Sequence, residues 1–356
     1  MHRLYLLNLL ASAHASWSLV TEDCPSPRSV HGGTWGSQSF WIHGGAGVDC
    51  LQDLWAFDSA SNSWTMYAFD TSPSERKDHV VVWDGQALWI HGGYGCKGNN
   101  FMKDLWRFSN GWTEVAGNSV PGPSARSEHV AVWDATHSDL WIHGGYDGSL
   151  KSDLWKFDST NWQFVAIQSL TPSARAQHVA TWDDVQLSIW LHGGYDDQGL
   201  CDDLWRFDVA TRNWNLILTG GPSARAYHVA AWDPANLAMW IHGGFDGKAR
   251  DDLWRFDTLS STWVLISQGG PLARFNHVAG WDMTTMSFWV HGGYVDNGPL
   301  RCDLWRFAVT STTTSTSTSS SVTSRSSTMS TTSSWTVSSS QTSSTTKTSS
   351  MTTSTD

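Results

Sequence analysis

One pattern is written six times in this chain. Arg-x-x-His occurs at Arg28/His31, Arg76/His79, Arg126/His129, Arg175/His178, Arg225/His228 and Arg274/His277, with Arg-to-Arg steps of 48, 50, 49, 50 and 49 residues. Four residues after each His stands a Trp: Trp35, Trp83, Trp133, Trp182, Trp232 and Trp281. Trp-(Ile/Leu/Val)-His-Gly-Gly follows, with its Trp at 41, 89, 141, 190, 240 and 289, and then Asp-Leu-Trp, with its Trp at 55, 106, 155, 205, 254 and 305. A fourth Trp (Trp64, Trp112, Trp162, Trp214, Trp263) closes five of the units. Units of this kind cannot bury an apolar face alone and must stack on their neighbours.

The sixth unit stops at Phe307-Ala308-Val309 without its closing Trp. Trp17 stands 11 residues before Arg28, and Trp214 and Trp263 stand 11 before Arg225 and Arg274. Ser16–Val20 therefore reads as the last strand of unit six, displaced to the N-terminus. Four Trp in each of six units, plus Trp335, account for all 25 in the chain. Each unit reads as four short strands punctuated by Asp-Gly, Gly-Gly and Pro-Ser turns; in unit three they are His129–Trp133, Asp139–His143, Asp153–Phe157 and Trp162–Val165. Four strands in about 50 residues predict a propeller blade, and a ring of blades leaves only short, protected edges. The expectation is an all-β, six-bladed propeller over 16–309, closed by the N-terminal strand.

The Gly-Gly pair, an aromatic, and a Trp seven residues beyond it resemble the kelch repeat. Phe57/Trp64, Phe207/Trp214 and Phe256/Trp263 carry that spacing, Phe108/Trp112 and Phe157/Trp162 a shorter one, and Pro-x-x-Arg-x-x-His is a similar lead-in. The resemblance covers about 16–309 and implies a β-propeller. It does not imply a chemistry, because kelch propellers include adaptors and enzymes. It also implies that Arg28, Arg76, Arg126, Arg175, Arg225 and Arg274 lie near the channel mouth, where some adaptors hold acidic peptides. Their other role is structural, tying strand ends to carbonyls or Asp residues.

Residues present in every blade serve the architecture. The Trp columns are expected to fill the wedges between sheets. The Gly-Gly pairs are expected to supply positive φ and close blade packing. Twelve of the fifteen His sit at the two repeated positions, spread around a ring, which reads as hydrogen-bonded imidazole rather than a metal site. The Asp of Asp-Leu-Trp is expected to cap a turn through its own backbone.

Recognition is expected where the blades differ. The residues between Arg and His vary, as do the loops after Gly-Gly, of which Tyr94 to Lys103 is the longest. Antiparallel strands place both sets at one end. The candidate contacts are Asp78, Glu128, Gln177, Tyr227 and Asn276, with the aromatics Tyr94, Tyr146, Tyr195, Phe245 and Tyr294. All five Cys fall at that end; Cys50 with Cys96 and Cys24 with Cys302 are candidate disulfides, which leaves Cys201 free.

Residues 1–15 have the layout of a secretory leader, with an apolar run from Leu4 to Leu10 and Ala13-His14-Ala15. From 310 to 356 all but nine residues are Ser or Thr, which predicts a disordered, O-glycosylated stalk. Without Arg3, Arg325, Lys347 and Asp356 the chain carries a net −13, the wrong sign for nucleic acid or an anionic membrane surface. No apolar run of about 18 residues is present to span a membrane. The leading reading is a secreted or cell-surface scaffold, not an enzyme and without metal or cofactor, that binds a protein or peptide. A glycan ligand or sugar-acting enzyme, and a structural coat component, are the alternatives.

Overall fold

The computed structural model describes residues 15–309, apart from 118, 168 and 297. The expected stalk over 310–356 and all but the last residue of the expected leader lie outside the described residues.

The first blade shows the rule. Gly32–Gly36, Ser39–Ala46, Cys50–Asp58 and Ser63–Tyr67 form an antiparallel four-stranded sheet in chain order. The second strand is buried throughout its length except at its two ends, because it is covered on both faces by neighbouring blades. Four more sheets repeat this order. In blade three the strands are Val130–Asp134, Asp139–His143, Leu154–Phe157 and Trp162–Phe164, each within one residue of expectation. First strands contact first strands around the axis, and Gly32–Gly36 meets Val278–Asp282, so the ring of six closes.

The sixth sheet takes Val278–Asp282, Ser287–Val295 and Leu300–Val309 from the end of the described chain and Ala15–Thr21 from its start. Trp17 pairs with Phe307 across this seam. The same partners meet in the other blades as Trp64 with Phe57, Trp112 with Phe108, Trp162 with Phe157, Trp214 with Phe207 and Trp263 with Phe256. The N-terminal strand thus occupies its place in register. Cys24–Cys302 ties the segment after it to the last strand, and Cys50–Cys96 joins blades one and two. Cys201 is a free, partly buried thiol whose pKa burial pushes up to about 11.

Blade joins blade through paired histidines. The imidazole of each Trp-x-His-Gly-Gly motif meets the Arg-x-x-His imidazole of the following blade: His43–His79, His91–His129, His143–His178, His192–His228, His242–His277 and His291–His31. The N···N distances are 2.9–3.1 Å, so one ring donates and the other accepts. Edge-on against each Gly-Gly His lies the outer-strand Trp of the next blade, and Trp17 on His242 completes that series. The inner-strand Trp packs on a Trp of the preceding blade, as in Trp35–Trp289 and Trp89–Trp133. The first glycine of the pair makes room for the join: a Cβ on Gly44, which has φ 60°, would lie 2.8 Å from the carbonyl oxygen of Arg76 in the next blade.

Trp17→Ala removes the outer-strand indole at the seam and leaves a cavity over His242. The expected loss is about 3 kcal/mol of unfolding free energy, read by denaturant titration. A loss below about 0.5 kcal/mol, the range of ordinary surface substitutions, would mean that the strand does not hold the ring closed.

Candidate functional site

The conserved-looking arginines come first, because the structure moves them out of the candidate site. All six are at most 1% exposed. Each presents a two-pronged fork to the Asp of its own blade's Asp-Leu-Trp: Arg28 to Asp53, Arg76 to Asp104, Arg126 to Asp153, Arg175 to Asp203, Arg225 to Asp252 and Arg274 to Asp303, at 2.6–2.8 Å. A further N–H reaches the carbonyl of the first glycine of Gly-Gly, and Nε donates to the carbonyl two residues back. No basic ring therefore faces a partner at Arg28, Arg76, Arg126, Arg175, Arg225 or Arg274. The Asp is also not a turn cap. It accepts from the Arg fork and from the indole N–H of its own Trp two residues on. Burial works against its charge, but the Arg hydrogen bonds and the Arg charge outweigh it and hold all six carboxyls below the ordinary range.

With Arg anchored outward, the second residue after it turns toward the axis. Val30, Asp78, Glu128, Gln177, Tyr227 and Asn276 all adopt the left-handed region, with φ of 52–61°. Each donates its backbone N–H to the carbonyl of its counterpart in the preceding blade, at 2.8–3.1 Å: Asp78 to Val30, Glu128 to Asp78, Gln177 to Glu128, Tyr227 to Gln177, Asn276 to Tyr227, and Val30 to Asn276. Six hydrogen bonds close a circle around the axis. None of the six is Gly, although a left-handed residue with a Cβ costs about 1–2 kcal/mol. The backbone is six-fold here and the side chains are not.

These side chains line a cavity of about 100 Å³ at the channel mouth. Gln177 donates to Asp78 at 3.1 Å, and the Tyr195 hydroxyl donates to Glu128 at 2.6 Å. Burial, and then the charge of Glu128, raise the Asp78 carboxyl to about 7 against the opposing Gln177 bond. Burial and the same Glu128 also raise the Tyr195 and Tyr227 phenols. Around the rim, each residue directly after Arg pairs in a bridge with the residue after Gly-Gly, as in Lys77 with Tyr94, Ser127 with Tyr146, Ala176 with Tyr195 and Ala226 with Phe245. Phe275 and Tyr294 make the equivalent pair in blade six.

The structure thus gathers Asp78, Glu128, Gln177, Tyr227, Asn276 and the five rim aromatics at one end. An arc of rings runs from Tyr195 through Tyr227 and Phe275 to Phe245 and Tyr294, with centroids 5.3–6.1 Å apart. Phe275 is the keystone of that arc. Its signal in the sequence is that it alone is aromatic where the other units have Ser, Lys or Ala. Phe101 bridges Tyr94 and Tyr146 on the far side. It lies in the segment Tyr94 to Lys103, which is no open loop but an extension of strands Leu88–Gly95 and Asn100–Phe108.

The opposite mouth holds a larger cavity, about 370 Å³, lined by the six inner-strand Trp. Several of these indoles are stacked on a Trp of the preceding blade, so their faces are already covered.

Fold and recurrent motifs together define a six-bladed propeller of the binding-scaffold type. A family model, the KLHDC2/KLHL20/DRC7 Kelch-repeats domain, matches residues 1–122 and 109–271. The chain belongs to the kelch-repeat family, and a propeller of that family suggests a protein-binding scaffold. No curated protein matches it.

Arg225→Met separates the two roles of the arginines. Leaving Asp252 buried without its fork is expected to cost about 3–5 kcal/mol in unfolding free energy. A variant that unfolds like the parent protein would return the arginines to the candidate site.

Proposed function

We propose that the propeller is the recognition head of a secreted or cell-surface protein, and that it grips a protein or peptide partner through the mouth framed by the Arg-x-x-His lead-ins and the Gly-Gly loops. The observation that carries this reading is the axial ring, where six equivalent backbone positions present six unlike side chains around a cavity. Chain direction supports it. Ala15 pairs with Val309, at the end of the last strand remote from the Gly-Gly loops. The described chain therefore starts and stops at the face opposite the ring, as suits a head carried on a stalk. The leader-like N-terminus and the two disulfides fit an oxidising compartment.

Selection from a displayed peptide library tests the reading. Selected peptides are expected to lose about ten-fold in affinity or more on Tyr227→Ala and on Asn276→Ala, and to be unaffected by Met283→Ala at the opposite mouth. Selection of no peptide, or sensitivity to Met283 alone, would overturn it.

A further inference from the structure

Within that reading, we propose that the axial cavity receives a cationic side chain, Lys or Arg, of an extended peptide whose neighbouring apolar residues lie on the aromatic arc.

Three observations converge on this chemistry. The first is charge without a counterpart. Asp78 and Glu128 come from adjacent blades and line one cavity, yet neither makes an ion pair among the described residues. Lys77, whose charge acts on Asp78 from outside ion-pair distance, places its ammonium 5.7 Å from the centre of the Tyr94 ring. The six arginines are consumed by their own Asp partners. Gln177 and Tyr195 each give one hydrogen bond to the pair, which leaves carboxylate lone pairs for further donors.

The second is the floor. His31, His79, His129, His228 and His277 line the same cavity and are 5–6% exposed. Their Nε2 atoms are used in the blade-to-blade pairs, and their Nδ1 atoms have no hydrogen-bond partner among the described residues. Burial keeps these imidazoles neutral, so the floor adds no positive charge beneath the carboxylates. The two carboxylates make the cavity an acceptor environment, and its natural occupant brings N–H donors and positive charge.

The third is size and surroundings. About 100 Å³ is well below the 300 Å³ or more typical of small-molecule sites, and suits one side-chain head group. Tyr227 belongs both to the cavity lining and to the arc of rings, so it offers a π face beside a bound cation. The arc over blades four to six gives the flanking residues an apolar bed. The pocket therefore selects a basic residue next to an apolar one, the reverse of the acidic peptide that an exposed arginine ring would select.

The test uses pooled N-acetylated heptapeptide amides with the central residue held as Lys, Arg, norleucine or Glu and the rest randomised, passed over the immobilised full chain. One further pool has norleucine at the centre and a free N-terminus. The Lys and Arg pools are expected to be retained at least about ten-fold better than the norleucine and Glu pools. Asp78→Asn, Glu128→Gln and the double variant are expected to erase that difference while their thermal midpoints stay at or above that of the parent protein. Equal retention of all pools, preference for Glu, or retention of the free-terminus pool alone would overturn the cationic side chain and leave peptide binding standing. A preference for Lys and Arg that persists in the folded double variant would place the cation elsewhere and overturn the proposal too. Retention of no pool would sink both this inference and the proposed function.

Discussion

Paired, buried, neutral imidazoles hold this wheel together. A buried ring nitrogen costs free energy unless it is hydrogen-bonded, and a buried imidazolium costs more. Each blade satisfies one nitrogen of each ring by lending its Gly-Gly His to the next blade's lead-in His. The glycines follow from that choice, since a Cβ on the first would strike the next blade's lead-in backbone and a Cβ on the second that of its own blade. The outer-strand Trp follows as well, because it packs on the shared imidazole. The Arg–Asp fork then fixes the lead-in from its other side. Every recurring residue is thus part of one joint, repeated six times, and the joint at the seam is complete only with Trp17.

Much of this was legible in the chain. Recurrence alone divided the architectural residues from the variable ones, and the missing sixth Trp pointed to Trp17. Turn chemistry placed the strands of blade three within a residue. Partner identity was less legible. Nothing in a spacing of 12 residues between His31 and His43 says that each pairs across a blade boundary with a different histidine. The Asp of Asp-Leu-Trp looked like a local cap because Asp commonly bonds its own turn. It serves Arg from more than 20 residues away, a contact that only the folded blade creates. The arginines suffered from the same blindness, since a buried fork and an exposed one have the same sequence.

The site was half visible. Variation between Arg and His singled out Asp78, Glu128, Gln177, Tyr227 and Asn276, and all five face the axis. Their left-handed backbone was invisible, because none of them is Gly and only Asp78 and Asn276 belong to types that favour that region. The circular hydrogen bonding explains the conformation: six chains converging on one axis satisfy their N–H groups only by turning head to tail. A rigid six-fold collar then carries side chains free to differ, and its acidic quarter and aromatic arc are a consequence of that freedom. The architecture and the axial cavity meet at the lead-in histidines, which hold the blades with one nitrogen and, in five of the six, line the cavity with the ring.

The sign of the histidine effect is unambiguous. Burial, followed by neighbouring charges, lowers the pKa of all twelve, to about 3 for His91, His143, His192, His242 and His291. The unfolded chain binds protons near pH 6.5 and the folded chain refuses them, so their contribution to stability is full above that pH and lost as pH falls below it. The most direct measurement is nitrogen-15 imidazole NMR of the folded protein at pH 5. The account predicts twelve neutral rings, each with one protonated nitrogen and with coupling across every Nδ1–Nε2 pair. Ring pairs that titrate near pH 6.5 in the folded state would contradict it.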